Sequence, residues 1–240
     1  MATIISEKLT INGEGTEITL DGLTFSGNGF VEVRNCSSLV IKNCCIYDMN
    51  CEGATKNYWL KIYNDIPMQL IIEHNYFGDN PGTAGSMYNL LEMNATLMNG
   101  SSISYNYFSA NCVTHNTINV YAAYAGATIK ICGNEFEVSS STVRIGVKGS
   151  PVCCIEARDN IIQADREGDD PRWNGLALVQ PYGKQTTTFA NMTIVMSGNT
   201  QPGDQFIYGY SGTNDTMMDE TTMPKIIFNG KVIENVNIYH

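Results

Sequence analysis

The stretch LIIEHNYF, residues 70–77, carries the pattern that decides the fold of this chain. Apolar residues stand at Leu70 and Ile72, an asparagine at Asn75 and a further apolar residue at Phe77. Apolar residues two apart lie on one face of a β-strand. The pattern returns, fully or in part, in six other segments, 21 to 39 residues apart. The position of Asn75 is occupied in turn by Leu23, Cys44, Asn75, Asn106, Asn134, Asn160 and Asn199.

A second alternating apolar segment lies between successive copies. Its members are Val31/Val33, Leu60/Ile62, Leu91/Met93, Ile118/Val120, Val143/Ile145/Val147, Leu176/Leu178 and Phe206/Tyr208. Two strand types that alternate with turns, without a sustained helical period, predict an all-β chain. We interpret residues 16–210 as a parallel β-solenoid of about seven coils, each about 29 residues long. A single coil cannot bury its apolar face, and stacking closes a continuous core.

The recurring asparagines fit this interpretation. An asparagine at the same turn of successive coils can stack on its neighbours and satisfy backbone groups that would otherwise be buried unpaired. We therefore predict a structural ladder, whose members are Asn75, Asn106, Asn134, Asn160 and Asn199. An antiparallel sandwich with asparagine-rich turns is the alternative, but it gives no reason for one position to recur.

On these residues the chain resembles the right-handed parallel β-helix superfamily, which includes pectate lyases, polygalacturonases and phage tailspikes. The resemblance implies a single right-handed β-helix, closest in character to phage tailspike, fibre and decoration proteins. It does not fix a chemistry, because one fold carries many functions. The polygalacturonase motifs are incomplete: Asp169-Asp170 lies in a charged loop, and Arg144-Ile145-Gly146 lacks the final lysine.

The two ends are predicted to differ from the coils. Residues 1–15 are expected to form an N-terminal cap, and the polar segment 211–224 a linker. Residues 225–240 read as a hairpin around Asn229-Gly230, a strong turn signal. Because an isolated hairpin is unstable, it must dock either on its own last coil or on another chain. The residues expected to make an assembly contact are Ile226, Phe228, Val232, Ile233, Val236 and Ile238.

Composition argues against several classes of partner and of functional site. The net charge of −10 and a pI near 4.7 argue against a nucleic-acid partner. No apolar run reaches the roughly 18 residues of a membrane span, and no signal peptide is recognisable. The eight cysteines lack a Cys-x-x-Cys spacing and only three histidines occur, so we expect reduced thiols and neither a metal nor a cofactor.

Candidate functional residues are few. Outward positions of the second strand type are expected to form one column, made of Glu32, Lys61, Glu92, Asn119 and Arg144. Glu32 and Glu92 would lie about two strands apart, on the order of 9–10 Å, a spacing used by inverting glycosidases, and are weak catalytic candidates. Lys61 between them should keep both carboxylates ionised. The irregular stretch 164–175 offers a binding loop with Arg172 and Trp173.

These observations predict a non-enzymatic structural or binding component of a bacteriophage virion, made in the host cytoplasm. It would assemble with other virion proteins or identical chains and could contact a surface glycan. The alternative is a polysaccharide-active enzyme or carbohydrate-binding β-helix with aromatic residues on one face. The candidates for that face are Trp59, Tyr63 and Tyr121. His74 and His115 are more often structural than catalytic in such positions.

Overall fold

A computed structural model describes most of the chain. The described residues are 3–50, 58–78, 87–109, 113–120, 126–137, 141–147, 153–162, 177–181, 191–200, 207–210, 224–234 and 238–239. Within these ranges the chain forms 25 strands and no helix. The strands belong to three sheets, and the predicted all-β chain with parallel strands is confirmed.

The three sheets are defined by their strands, numbered along the chain. Sheet 1 has seven strands: β1 (Ile4–Ile5), β4 (Thr24–Gly27), β7 (Cys45–Met49), β10 (Tyr76–Phe77), β13 (Tyr107–Phe108), β16 (Glu135–Phe136) and β19 (Ile161–Ile162). Sheet 2 has nine: β2 (Leu9–Asn12), β5 (Val31–Arg34), β8 (Tyr58–Tyr63), β11 (Met87–Asn94), β14 (Val113–Val120), β17 (Ser141–Val147), β20 (Ala177–Pro181), β22 (Ile207–Tyr210) and β25 (Ile238–Tyr239). Sheet 3 also has nine: β3 (Glu17–Asp21), β6 (Ser38–Lys42), β9 (Gln69–Glu73), β12 (Ser102–Ser104), β15 (Ala127–Cys132), β18 (Cys153–Arg158), β21 (Met192–Ser197), β23 (Lys225–Phe228) and β24 (Lys231–Ile233).

The chain visits the three sheets in turn. Each strand from β1 to β18 pairs in parallel with the strand three places later, so equivalent residues of successive copies lie side by side. Leu39 is paired with Leu70, and Ile103 with both Ile72 and Ile131. The apolar positions of the repeated pattern therefore form continuous columns, as the spacing in LIIEHNYF predicts.

The interior between the sheets is filled by these columns. The rings of Phe77 and Phe108 are stacked with centroids 4.7 Å apart, and those of Phe108 and Phe136 are stacked at 4.8 Å. Trp59 packs edge-on against Phe25 and Phe77 at 5.3 and 5.4 Å. Such dense, repeated apolar contact is the main source of stability available to the fold.

The predicted register of sheet 2 is wrong near its end. In the structure Ala177 lies opposite Val143, and Leu178 opposite Arg144, so Leu178 takes the register position of Arg144 and not that of Val143. The next strand continues this offset, with Ile207 opposite Ala177. The physical reason is that both segments are apolar at consecutive positions, so alternation alone does not select between registers one residue apart.

Both terminal segments take part in the sheets. Residues 1–15, expected as a cap, contain β1 and β2, which pair with β4 and β5. Residues 225–228 form β23, which pairs in parallel with β21 of the same chain. The hairpin then turns at Asn229-Gly230 into β24, which is antiparallel to β23, and β25 joins β22. The predicted linker 211–224 lies outside the described residues except for Pro224.

Candidate functional site

Two-residue turns join sheet 3 to sheet 1 from β3 to β19, and a turn of the same kind follows β21. The first residue of each turn has a positive φ, which L-residues adopt at a cost and glycine adopts freely. These residues are Gly22, Asn43, His74, Tyr105, Gly133, Asp159 and Gly198. The sequence carried a signal for this geometry, because five of the seven are glycine, asparagine or aspartate, which tolerate it best.

The second residue of each turn points inward and builds the asparagine ladder. The Oδ1 of Asn106 accepts hydrogen bonds from the backbone N–H and the Nδ2 of Asn75, both at 3.0 Å. The Nδ2 of Asn106 donates to the backbone carbonyl of Ile72 and to Oδ1 of Asn134, again at 3.0 Å. The same contacts recur through Asn160 to Asn199, so each buried amide satisfies groups of both neighbouring turns.

Cys44 takes the ladder position one turn before Asn75. Its backbone N–H donates to Oδ1 of Asn75 at 2.9 Å, and its Sγ lies 3.6 Å from the carbonyl oxygen of Leu20. That carbonyl is the counterpart of the one that each asparagine amide contacts. A buried thiol is a small, weak donor, so it can replace the amide where the ladder ends.

The outer face of sheet 1 carries a cluster of aromatic side chains, the aromatic patch. It consists of Tyr47, His74, Tyr76, Tyr105 and Tyr107. The rings of Tyr76 and Tyr107 are stacked at 5.2 Å, and those of His74 and Tyr105 at 5.3 Å. Tyr76 is 49% exposed and Tyr105 61%, so the patch presents ring edges and hydroxyls to solvent.

Neighbouring groups fix the patch in place. The Tyr107 hydroxyl donates to Oε2 of Glu137, and this hydrogen bond raises the pKa of Tyr107. The Tyr105 ring lies over Gly133, where an added Cβ would be 2.6 Å from a ring carbon. The patch is thus a polar–aromatic surface with the carboxylate of Glu137 beside Tyr107. Sequence reasoning missed it, although the repeat carried a signal, because the segments HNYF (74–77) and YNYF (105–108) align on their asparagines.

The column predicted in sheet 2 forms in the expected register, but not every member of it is exposed to solvent. Glu32 lies opposite Lys61, and Lys61 opposite Glu92, so one strand separates the two candidate carboxylates. Asn119 and Arg144 continue the column. Glu92 is buried, whereas Glu32 is partly exposed.

Lys61 and Glu32 are neighbours in this column, and each also contacts groups outside it. The Nζ of Lys61 lies over the rings of Tyr58 and Tyr63, 4.9 and 4.8 Å from their centres. Glu32 accepts hydrogen bonds from Lys8 Nζ and Arg34 Nε, each at 2.8 Å. These bonds hold the pKa of Glu32 below its usual range. A carboxylate kept ionised in this way is poorly suited to act as a general acid.

The other sequence-predicted candidates lie apart from one another. Trp59 is fully buried in the core and Tyr63 is half-buried beneath Lys61, so Trp59 cannot line an external groove. His115 belongs to β14. Tyr121, together with the loop residues Arg172 and Trp173, lies outside the described residues.

The six predicted assembly residues divide into three groups. Ile226 is 1% exposed and Phe228 packs partly against the core, so both are largely used within their own chain. Val232 is 54% exposed and Ile233 37%, on the outermost strand of sheet 3. Ile238 lies in β25, which pairs with β22, and Val236 lies outside the described residues.

The described cysteines are all free, and they are Cys36, Cys44, Cys45, Cys132, Cys153 and Cys154. Burial raises the pKa of the Cys153 thiol to about 11, so at neutral pH it is protonated and a poor nucleophile. Among the residues that the structure describes, no three His, Cys, Asp or Glu side chains cluster as a metal site would require. Nor does this part of the chain include a helix long and apolar enough to cross a membrane.

Comparison with known proteins gives no relative. No protein-family model, curated protein or solved structure matches this chain. The function must therefore be argued from the geometry.

Proposed function

We propose that the three sheets are the faces of one right-handed parallel β-helix of about seven coils, as in the pectate-lyase-like superfamily. The regular pairing of each strand with the third strand after it supports this arrangement. So does the inward asparagine ladder, which needs equivalent turns to lie directly above one another.

On this fold we propose a non-enzymatic structural or binding component of a bacteriophage virion, as a capsid decoration, fibre or tailspike-like protein. A rigid, acidic β-helix with reduced thiols suits a particle assembled in a reducing host cytoplasm. The ion-paired state of Glu32 argues against the one carboxylate pair that could have been catalytic. The virion assignment itself rests on the resemblance to phage β-helix proteins.

The observation that carries the assembly role is the strand β24. It pairs on one side with β23, and no described residue pairs with its other side. Exposed β-strand edges with apolar side chains promote pairing with another chain, and soluble proteins usually protect them. Val232 and Ile233 supply such side chains here.

A carbohydrate-binding role is the second candidate, and the aromatic patch favours it. Tyr hydroxyls, stacked rings and the carboxylate of Glu137 can together contact the apolar and hydroxyl groups of a sugar. A surface glycan of the host would be such a ligand. The patch stands apart from β24, so binding and assembly could operate in one chain.

The experiment that tests the proposed function has two measurements. Mass spectrometry of purified phage particles from a strain that carries the gene should detect the chain in stoichiometric amounts. Incubation of the purified protein with bacterial and plant polysaccharides should release no reducing sugar above a heat-denatured control. Absence from the particle contradicts the virion role, and sustained sugar release contradicts the non-enzymatic one.

A further inference from the structure

Sheets 2 and 3 present open edges at both ends. Each has nine strands, beginning with β2 and β3 and ending with β25 and β24. Within the described residues, β3 pairs only with β6, and β24 only with β23. Sheets 2 and 3 therefore extend equally far at both ends. Among the described residues, their outermost strands carry backbone groups that lack a neighbouring strand.

The apolar side chains at the beginning of the sheets are incompletely covered. The partly buried hydrophobic residues that pack against the core there are Ile5, Leu9, Ile11, Ile18 and Leu23. Their counterparts further along the sheets are fully buried: Leu39, which is opposite Ile18, has no exposed surface. Another layer of side chains placed over this end would remove its remaining apolar surface from water.

The other end offers side chains that fit this role. In an antiparallel pair, residues directly opposite each other share a face. Ile233 is opposite Ile226, which is buried, so Ile233 lies on the core side of sheet 3 at its outermost strand. It is 37% exposed, and no described strand lies beyond it in the sheet.

The charges of the two ends are complementary. Residues 3–24 contain four acidic residues, Glu7, Glu14, Glu17 and Asp21, against Lys8, a net charge of −3. Residues 224–234 contain Lys225 and Lys231 against Glu234, a net charge of +1 in a chain whose total is −10. Opposite charges favour contact between unlike ends and disfavour contact between two identical ends.

We propose that copies of this chain stack head to tail, with β24 of one copy paired antiparallel to β3 of the next. The inference rests on the proposed assembly function and names the partner as a second copy. β25 then lies beside β2 of the next copy, in the parallel sense of the rest of sheet 2. With Ile233 opposite Leu20, Val232 comes opposite Asp21 and Lys231 opposite Gly22, and the apolar layers of the two copies meet.

Tail-to-tail pairing of two β24 strands accounts for fewer of these observations. It brings the net positive charge of residues 224–234 of one copy against the same segment of the other. It also leaves the partly buried side chains of the first strands uncovered. Head-to-tail stacking uses two different surfaces, so it generates an open filament unless the copies close into a ring. With nine strands per copy, the axial repeat is roughly 43 Å at about 4.8 Å per strand.

The test compares assembly of the purified full chain with that of matched variants. Sedimentation velocity over a range of concentrations and negative-stain microscopy measure polymer size and repeat. Ile233→Lys places a charge at the proposed contact and should raise the concentration needed for assembly at least tenfold. Ile66→Lys alters a similarly exposed isoleucine between β8 and β9 and should leave assembly unchanged.

Two further measurements separate this contact from loss of folding. Val232→Pro removes the backbone N–H that points away from β23, since the closing pair Phe228–Lys231 makes Ile227 and Val232 a non-hydrogen-bonded pair. Either defective variant keeps an intact β3 edge. If it is folded, adding it to the unmodified chain should therefore shorten the polymers by capping one end.

A charge exchange tests the pairing of unlike ends. Lys231→Glu should weaken assembly, and Asp21→Lys in the same chain should restore part of it. Higher salt should weaken assembly of the unmodified chain.

Three results overturn the proposal: a monomer at every concentration in low salt, polymers that Ile233→Lys and Val232→Pro leave unchanged, or symmetric dimers that grow no further. None of these decides the proposed function, whose tests are sugar release and presence in the particle.

Discussion

Asn106 and Asn134, 28 residues apart in the chain, are joined by a buried hydrogen bond of 3.0 Å from Nδ2 of Asn106 to Oδ1 of Asn134. Asn134 Oδ1 also accepts from the backbone N–H of Asn106 at 3.0 Å. One side chain thus satisfies two donors of the preceding turn. Because each link needs the next turn in register, the ladder couples local turn geometry to the stacking of the whole fold.

We expect Asn106→Ala to destabilise the protein by about 1–3 kcal/mol. The substitution leaves the buried backbone N–H of Asn75 and the carbonyl of Ile72 without their partners, and unsatisfied buried groups carry costs of this size. Chemical denaturation monitored by circular dichroism measures the change. Asn12→Ala is the matched control, because Asn12 is exposed and should cost less than about 0.5 kcal/mol. Equal effects for the two substitutions would contradict the structural role of the ladder.

Gly133→Ala tests the strained turn residue beneath the aromatic patch. The residue has a φ of 65°, and an added Cβ would lie 2.6 Å from a carbon of the Tyr105 ring. Gly22→Ala is the control, because Gly22 has nearly the same φ of 66° in the equivalent turn but nothing within 4 Å of the added Cβ. Both should lose about 1–2 kcal/mol from backbone strain. Only Gly133→Ala should also disturb Tyr105, which a change in near-ultraviolet circular dichroism would report.

Much of the fold follows from two features of the sequence. Apolar residues two apart, as at Leu70 and Ile72, define a strand face whatever the surroundings. One polar residue that returns at the same place in the pattern, as Asn75 does, indicates that the copies are stacked. Both signals are local, and each copy repeats them, so an error in one segment does not change the fold class.

The remaining features depend on tertiary packing. Trp59 precedes the inward-facing Leu60, so alternation places it outside, yet the structure buries both. A large apolar ring is stabilised by burial, and here it packs between Phe25 and Phe77. In the aromatic patch, Tyr76 and Tyr107 each follow a ladder asparagine, so the repeat itself places them side by side, whereas their ring stacking and exposure are seen only in the structure.

In the C-terminal segment, a strong turn signal obscured a further copy of the apolar strand pattern. Ile226 and Phe228 repeat the apolar spacing of sheet 3, but the turn signal of Asn229-Gly230 made the segment read as a separate unit. The structure places β23 as a further parallel strand of sheet 3, and only β24 departs from the parallel order. Of the residues predicted to make an assembly contact, the exposed side chains of β24 consequently remain the candidates.

Glu32→Gln should remove a contribution to the free energy of unfolding that is present at neutral pH and lost in acid. Hydrogen bonds from Lys8 and Arg34 lower the pKa of Glu32 in the folded state below its ordinary value of 4.5. A lowered folded-state pKa stabilises the fold above pH 4.5, and this contribution disappears as the pH falls through the folded-state value. Melting temperatures from pH 7 to pH 3 should therefore show a gap between the two proteins that closes below pH 4.5. Glu7→Gln is the control, and a gap that widens on acidification would contradict the ion pairs.

The thiols should be reduced in all eight cysteines of the chain. The six that the structure describes are free, and burial raises the pKa of Cys153 to about 11, which slows alkylation of the native protein. Titration with a thiol reagent under denaturing, non-reducing conditions should count about eight. In the native protein at pH 8, Cys153 should react far more slowly. A denatured count of six or fewer would indicate disulfide pairs and an oxidising setting.

A chain ending at Thr222 tests what the C-terminal segment does within its own molecule. The deletion removes β23, β24 and β25, so it opens the edges of β21 and β22 and exposes the core around Ile226. We expect the shortened chain to lose several kcal/mol of stability and to aggregate, since burial of Ile226 and Phe228 contributes roughly 1.5–3 kcal/mol for each fully covered side chain. Ile233→Lys, which alters only the exposed strand, should by contrast keep the melting temperature of the unmodified chain within a few degrees. If the shortened chain melts as late as the full one, the pairing of β23 with β21 contributes nothing, and the hairpin would serve another molecule alone.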